Sequence, residues 1–373
     1  MELYVHVPFC VKKCRYCDFY SGPQDEETVR RYFDTLKSEI SESPWSGRGI
    51  PVTSVFFGGG TPSAVKPGLI ADTLNCLRDA FSVAQDAEIT LEGNPGTFTE
   101  EALKIYRTSG INRLSIGLQS TDSEMLRFLG RIHTAEDFEK SYDWARRCGF
   151  DNISIDLMSS LPGETPESFE KGLLKAASYE PEHISVYSLI IEENTPFYAL
   201  YGGERIDSSL PVLPSEDEDR EIYHRTGEIL SACGYERYEI SNYARPGYRS
   251  RHNTGYWTGE EYLGFGASAA SLVSGKRFRN ARSLFYMDMP YEECETLSPE
   301  DRMAEFFILG LRMTEGVRDR DFRTRFGASF FDIYGEVLSK HISFGTLERE
   351  NETVRLSAYG LDVANSVMAD FLP

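Results

Sequence analysis

Cys10, Cys14 and Cys17 form a C-x₃-C-x₂-C run directly after a short stretch, Leu3–Val7, that alternates apolar and polar positions. Three thiols are one more than a CxxC redox pair needs and one short of the usual four-ligand zinc site. Three thiolates do fit a [4Fe–4S] cube that leaves one iron open to an exchangeable ligand. A structural zinc and unrelated buried thiols are the alternatives. Phe9 and Phe19 flank the thiols and are expected to shield a cube from water, while Lys12, Lys13 and Arg15 are expected to offset its anionic charge.

Further residues with chemical capacity recur at one kind of place. Gly58-Gly59-Gly60 closes the β-branched and aromatic run Thr53–Phe57. A backbone without side chains can approach a ligand closely, and its carbonyls can receive an ammonium group, although a tight turn explains three glycines equally well. Glu92, Gln119 and Asp156 each end an expected strand, and Arg131 follows shortly after one. A carboxylate can accept ribose hydroxyls, an amide can bridge polar edges, and an arginine can pair with a carboxylate bidentately. Any one of these alone is more often a cap or an ion-pair partner. Their recurrence at the same end of successive strands is what marks them.

The elements that must position them alternate strand and helix over the first 240 residues. Strands are expected at Leu3–Val7, Thr53–Phe57, Glu88–Leu91, Arg113–Leu118, Asn152–Leu157 and His183–Leu189, with another at Tyr235–Ile240. A helix over Glu26–Ile40 places Tyr32, Phe33, Leu36 and Ile40 on one side. Thr99, Thr134 and Thr165 before Pro166 announce three more helices, and Ser215–Glu218 is a capping box opening another. Repeated β-then-α units imply a parallel sheet with right-handed crossovers. About six units suit a partial (β/α) barrel whose chemistry lies at the strands' carboxyl ends. The fold class is therefore α/β, a partial (β/α)6 barrel over 1–240 and a connecting segment over 241–297. A small α+β module (winged-helix-like) over 298–373 opens at Ser298-Pro-Glu-Asp301. Met303, Phe306, Phe307, Gly310 and Leu311 then repeat at helical spacing.

Composition narrows the class. At 373 residues the chain exceeds the size at which one core stops growing. With 39 basic and 59 acidic side chains its formal charge is −20, which argues against a nucleic-acid or anionic-membrane surface. No charged leader before an apolar stretch and no 18-residue apolar run is present, so neither export nor a membrane span is expected. Seven cysteines, an odd number, fit a reducing cytoplasm. Cys76, Cys148, Cys233 and Cys294 are expected to be buried small hydrophobes.

The cysteine spacing resembles that of the radical S-adenosylmethionine (SAM) superfamily, which implies that the SAM amine and carboxylate chelate the open iron. Tyr16 then occupies the place where such proteins usually hold an aromatic against adenine. Tyr4-Val-His-Val-Pro-Phe-Cys10, Phe57-Gly-Gly-Gly-Thr-Pro62, Asn112-Arg-Leu-Ser-Ile-Gly-Leu-Gln119 and Asp156-Leu-Met-Ser-Ser-Leu-Pro-Gly163 narrow it further. They resemble the oxygen-independent coproporphyrinogen III oxidase family over nearly the whole chain. The resemblance implies SAM contacts at Tyr4, Gly59, Gly60, Thr61, Glu92, Gln119, Arg131, Asp156 and Ala270.

That family holds both coproporphyrinogen III dehydrogenases and haem chaperones. The dehydrogenases carry a fourth cysteine two places after the third, where this chain has Phe19, and a long extension before the cluster, where this chain has nine residues. The chaperones carry H-N-x-x-Y-W, present here as His252-Asn253-Thr-Gly-Tyr256-Trp257. One departure is Gly266-Ala-Ser-Ala-Ala270, where the chaperones usually show Gly-Ala-His-Ser. By its chemistry His252 suits haem iron, Tyr256 and Trp257 offer flat apolar area, and Arg245, Arg249 and Arg251 suit two propionates. The reading is a cytoplasmic haem carrier with a [4Fe–4S] cluster, SAM and haem, serving an acceptor protein and reduced by a donor such as a flavodoxin or ferredoxin. The dehydrogenase and another tetrapyrrole-modifying radical SAM enzyme are the alternatives.

Overall fold

In a computed structural model, described here for residues 1–203 and 207–373, the chain builds one large sheet wrapped by helices and a smaller module behind it. The first half runs β1 (Glu2–Val7), α1 (Glu26–Glu42), β2 (Pro51–Gly59), α2 (Pro67–Ala80), β3 (Ser82–Gly93), α3 (Glu100–Ser109) and β4 (Arg113–Gln119). It continues through α4 (Ser123–Phe128), α5 (Ala135–Arg147), β5 (Ile153–Ser159), α6 (Pro166–Ala177), β6 (His183–Ser188), α7 (Pro196–Tyr201) and α8 (Glu216–Ala232). The helix starts follow their caps. Thr99 accepts from Ala102 N, and Thr134, Thr165 and Ser215 each close a capping box.

β1 to β6 lie side by side in sequence order, every neighbour parallel. Alternate residues sort to opposite faces. Leu3, Val5, Val55, Phe57, Ile89, Leu91, Leu114, Ile116, Ile153, Ile155 and Ile184 are buried in one core with the helices' apolar sides. Tyr32, Phe33, Leu36 and Ile40 supply α1's share, as their spacing predicts. The opposite, inner face carries Glu2, Tyr4, His6, Glu88, Glu92, Arg113, Ser115, Asp156 and His183. A parallel strand covered on both faces normally reads as a continuous apolar run. Here most alternate positions are polar, so the concave side of the sheet encloses chemistry rather than a second core.

The segment expected to be a connection, 241–297, is instead part of the sheet. It supplies β8 (Asn242–Ala244), which joins β6 and the two-residue β7 (Glu236–Arg237) at one edge, and α9 (Arg251–Trp257). It then supplies β9 (Tyr262–Phe265), a seventh parallel strand beside β1, followed by the antiparallel β10 (Ala270–Val273), β11 (Lys276–Arg279) and β12 (Glu293–Thr296). These strands are two to four residues long, too short for periodicity to reveal. The strand expected over Tyr235–Ile240 shrinks to β7 for the same reason.

α10 (Pro299–Leu311) opens the carboxyl-terminal module under the capping box of Ser298 and Asp301. β13 (Val317–Arg318), α11 (Asp319–Phe326), β14 (Leu347–Glu350) and β15 (Thr353–Leu356) follow, with a three-stranded antiparallel order β13-β15-β14. Phe307, Phe322, Phe330, Leu338, Val354 and Phe371 form its separate core. Among the described residues no helix is long and apolar enough to cross a membrane.

Candidate functional site

The loop after β1 carries the three cysteines to the carboxyl ends of the strands. Its backbone is pinned at several points. Cys10 N donates to Gly22 O (3.1 Å), Arg15 N to Leu129 O (3.0 Å), and Phe197 N to Arg15 O (3.0 Å). All three cysteines are partly exposed and none is in a disulfide. Thr61 Oγ1 donates to Cys10 Sγ at 3.3 Å and Arg131 Nη1 to Cys14 Sγ at 3.6 Å. Burial pushes the Cys17 thiol up, and the neighbouring Cys14 adds to this. Hydrogen-bond donors aimed at sulfur, beside exposed Lys12, Lys13 and Arg15, are what a thiolate-held cluster requires. Among the described residues no three His, Cys, Asp or Glu side chains converge as ligands of a single ion would. Cube ligands need no such convergence, because each thiolate meets a different iron.

The glycine turn ending β2 is fixed by close approach. A Cβ on Gly60 would stand 2.7 Å from Val7 O and 2.8 Å from Phe9 N, and one on Gly59 (φ +104°) would stand 2.4 Å from the His6 ring. His6, which the sequence reading passed over, is a strut of the site. Its Nε2 lies 2.9 Å from Tyr20 O, a carbonyl that can only accept, so Nε2 carries the proton and Nδ1 receives Tyr4 OH at 3.1 Å. His6 therefore ties β1 to the far end of the cysteine loop and backs the glycine turn.

Glu92 accepts from Gly59 N at 3.2 Å. Burial, then the charge of Asp156, pushes its carboxyl up to about 8. Asp156 is also raised by burial, even though Ser115 Oγ (2.9 Å) and Ser154 Oγ (3.2 Å) donate to it. Two raised carboxyls on one concave face, with Tyr4 and Tyr187 beside them, make a polar chamber able to accept hydroxyls. Tyr187 was not singled out from sequence, and it stands 43% exposed at the end of β6.

Arg131 is the junction. Nη2 donates to Asn94 Oδ1 and Gly117 O, both at 2.6 Å, and Nη1 reaches Tyr16 OH at 3.4 Å. Asn94 Nδ2 donates to Thr61 Oγ1 at 2.9 Å, closing a chain from β4 to Cys10. Burial opposes the Arg131 charge, but Tyr16 and Cys14 outweigh it and its pKa is raised. With Nη2 already spent, Arg131 braces Tyr16 and Cys14, and the free bidentate fork expected there is not offered. Gln119 sits in the left-handed region (φ 68°), bending β4 at the rim. Tyr16 packs edge-on to Phe197 at 6.5 Å, and Ala270 begins β10 one strand beyond β9.

Several expectations are corrected. Phe19 does not shield the loop; it is 67% exposed, whereas Phe9 is buried. Cys294 lies exposed on β12, because a two-sided edge strand leaves it no core to enter. His252 is inside the barrel's other end, with Nδ1 2.8 Å from Ser54 Oγ and Nε2 3.0 Å from Tyr256 OH. Its ring stacks on Phe56 at 4.9 Å, and burial lowers its pKa to about 3. As folded, both ring nitrogens have a hydroxyl partner. The three arginines are engaged too. Arg245 stacks over Tyr235 (5.3 Å), Arg249 pairs with Glu315 (2.6 Å), and Arg251 with Asp86 (3.4 Å).

The Radical SAM superfamily profile matches residues 4–175, and the HemN C-terminal domain profile matches 297–363. The Heme chaperone HemW of Bacillus subtilis (strain 168) is 34% identical over 377 residues, covering 99% of this chain and 98% of that protein. The Heme chaperone HemW of Escherichia coli (strain K12) is 33% identical, covering 100% and 98%. Among solved structures, the coproporphyrinogen III oxidase HemN of Escherichia coli, a radical SAM enzyme, superposes with a TM-score of 0.84 at 25% identity. That match covers 99% of this chain and 89% of that one.

Proposed function

The chain belongs to the radical SAM superfamily and, within it, to the family of the heme chaperone HemW, and on that premise we propose that it binds haem and hands it to an acceptor protein. In this reading Cys10, Cys14 and Cys17 hold a [4Fe–4S] cluster with SAM at its open iron, a pair that supplies one-electron chemistry when bound. The chain's own residues do the positioning. Glu92 and Asp156 accept SAM hydroxyls, the Gly59 and Gly60 carbonyls receive its amine, and Tyr4, Gln119 and Ala270 line its approach. Thr61 and Arg131 hold the thiolates' outer hydrogen bonds, and Tyr16 backs the adenine. Exposed Lys12, Lys13 and Arg15 suit an acidic donor such as a flavodoxin or ferredoxin, and the proposed setting is the cytoplasm.

The observation that carries the carrier reading over the enzyme reading is Phe19, exposed two places after Cys17, in a chain related end to end to heme chaperones. The fold match to HemN favours coproporphyrinogen III oxidation as the second reading. One experiment separates them. The reconstituted protein is titrated with haemin and, separately, supplied with coproporphyrinogen III, SAM and a reductant. Stoichiometric haem uptake without protoporphyrinogen formation supports the carrier, and turnover to protoporphyrinogen overturns it.

A further inference from the structure

Arg113 stands at the start of β4 on the inner face of the sheet and is only 2% exposed. Its Nε is buried without a partner, and among the described residues no carboxylate lies within ion-pair distance of its guanidinium. A desolvated charge is costly unless an opposite charge answers it. The buried Glu239 does not, because it takes Arg312 at 3.4 Å.

Strand register shows which anions remain. Thr90 pairs with Arg113 across β3 and β4, and Glu92 pairs with Ser115. Arg113 and Ser115 are two residues apart, so they share a face and lie about 7 Å apart along the strand. Ser115 Oγ in turn donates to Asp156 on β5 at 2.9 Å. Glu92 and Asp156 therefore flank Ser115 from two sides, and Arg113 enters the wall one pleat beneath them. Glu88 is one pleat away in the other direction, but it is engaged by the backbone N–H groups of Arg251 (3.1 Å) and His252 (3.2 Å). The remaining groups around Arg113 are neutral. Burial, then the Arg113 charge, holds the His183 and His252 imidazoles below their usual pKa, and burial raises Tyr4, Tyr187 and Tyr238. That leaves Glu92, pushed up to about 8 by burial and Asp156, as the chamber group that changes charge near that pH. The Arg113 charge opposes the rise of both carboxyls.

We propose that Arg113 is a positioning residue of the SAM chamber, whose unanswered charge, one pleat beneath Ser115, holds Glu92 and Asp156 as anionic acceptors for the nucleoside hydroxyls. The inference rests on the SAM reading above. Distance is what makes the arrangement useful. A direct ion pair would occupy the carboxylate lone pairs that the hydroxyls need, whereas a cation one pleat away favours the charged form and leaves the oxygens free.

The test titrates the cluster-reconstituted parent, Arg113→Met, Arg113→Gln and Arg113→Lys calorimetrically with SAM from about pH 6.5 to 9.5. Met and Gln remove the charge on an apolar and a polar stem, and Lys keeps it. Parent affinity should rise with pH and level off near pH 8 as Glu92 ionises. In both neutral variants the levelling should move up by about one pH unit, with binding at pH 8 about fivefold weaker. Arg113→Lys should restore the parent profile even where its melting temperature falls. Glu2 and the SAM amine titrate alike in all four proteins, so the differences read the chamber. A neutral variant that folds and levels off at the parent's pH overturns the proposal and leaves Arg113 a structural counterpart of Glu88. A lysine variant that behaves like the neutral ones overturns it equally. A parent that binds no SAM overturns the SAM reading itself.

Discussion

The two ends of the barrel are both polar and both buried, but they are finished differently. At the amino-terminal end many of the polar groups answer one another, while Glu2 Oε2, Thr90 Oγ1, Arg113 Nε and Thr254 Oγ1 are buried without a partner. Glu88 accepts from the backbone N–H groups of Arg251 (3.1 Å) and His252 (3.2 Å), placing a carboxylate on the first turn of α9. Ser250 caps the same helix through Asn253 N, His183 links Ser154 to Tyr238, and His252 links Ser54 to Tyr256. A Cβ on Gly255 would stand 1.9 Å from Glu2 Oε1, so α9 can close down only because that residue is glycine. At the carboxyl end Glu92 and Asp156 face each other's charge, Gln119 is strained, and the cysteines remain partly exposed. The closed end is shut by α9 and packed away from solvent, whereas the open end leaves its thiols partly exposed, where a ligand can reach them.

Four changes would break or sharpen that contrast. The largest effect belongs to the open end. Cys14→Ser should reduce iron and sulfide from about four each per chain to nearly none, with apo-protein unfolding shifted by less than about 0.5 kcal/mol. Metal analysis with urea unfolding checks both halves, and retained iron would remove Cys14 from the ligand set.

At the closed end Glu88→Ala should cost about 3 kcal/mol, because the first N–H groups of α9 are left buried without an acceptor. Chemical denaturation reads this directly. A loss below about 1 kcal/mol would mean that the plug is not held by that carboxylate.

Glu2→Gln tests the same end through pH. Burial pushes the Glu2 carboxyl up to about 8 from 4.5, so the folded chain holds a proton that the unfolded chain releases over that interval. Stability from this group is full below about 4.5 and falls as pH rises to about 8. His252 runs the opposite way, about 3 against 6.5, so its contribution is full above 6.5 and lost as pH falls toward 3. The slopes oppose each other between 4.5 and 6.5, and above 6.5 Glu2 and Glu92 act in the same direction, so the difference between the parent chain and Glu2→Gln isolates Glu2. Between pH 6.5 and 8 the parent chain should lose about 2 kcal/mol more than Glu2→Gln. Parallel curves would place Glu2 in contact with water.

Glu92→Gln is the smallest change in stability and the most telling in function. Removing a buried carboxylate beside Asp156 should raise apo-protein stability by up to about 1 kcal/mol and weaken SAM binding about tenfold. Calorimetric titration together with thermal melting separates the two. Lower stability with unchanged SAM affinity would make Glu92 an ordinary structural residue.

Much of the open end was legible in the sequence because its signals are local. A thiol spacing, a glycine run after a strand and capping residues before helices depend on neighbours a few positions away. The six parallel strands and α1's buried side follow from alternation and helical period alone. His6, Asn94 and Tyr187 were missed because their roles are long-range: His6 reaches Tyr20, Asn94 joins Thr61 to Arg131, and Tyr187 meets Asp156 of the neighbouring strand. The short strands β8 to β12 were missed, and β7 was expected longer than it is, because so few residues each carry no period.

The amino-acid sequence by itself determined the cysteine triplet, the order of the barrel's elements and the kind of side chain at each strand end. Only the tertiary structure decided what the second motif does. His252 to Trp257 reads as one site along the chain, yet a seven-residue helix points its ends to opposite sides. Glu88, Ser54 and Glu2, distant in sequence, take the histidine end into the barrel, and the carboxyl-terminal module meets the tryptophan end across a cleft. Spacing fixes which residues share a helix. Packing against elements brought from elsewhere fixes which of them can reach a ligand.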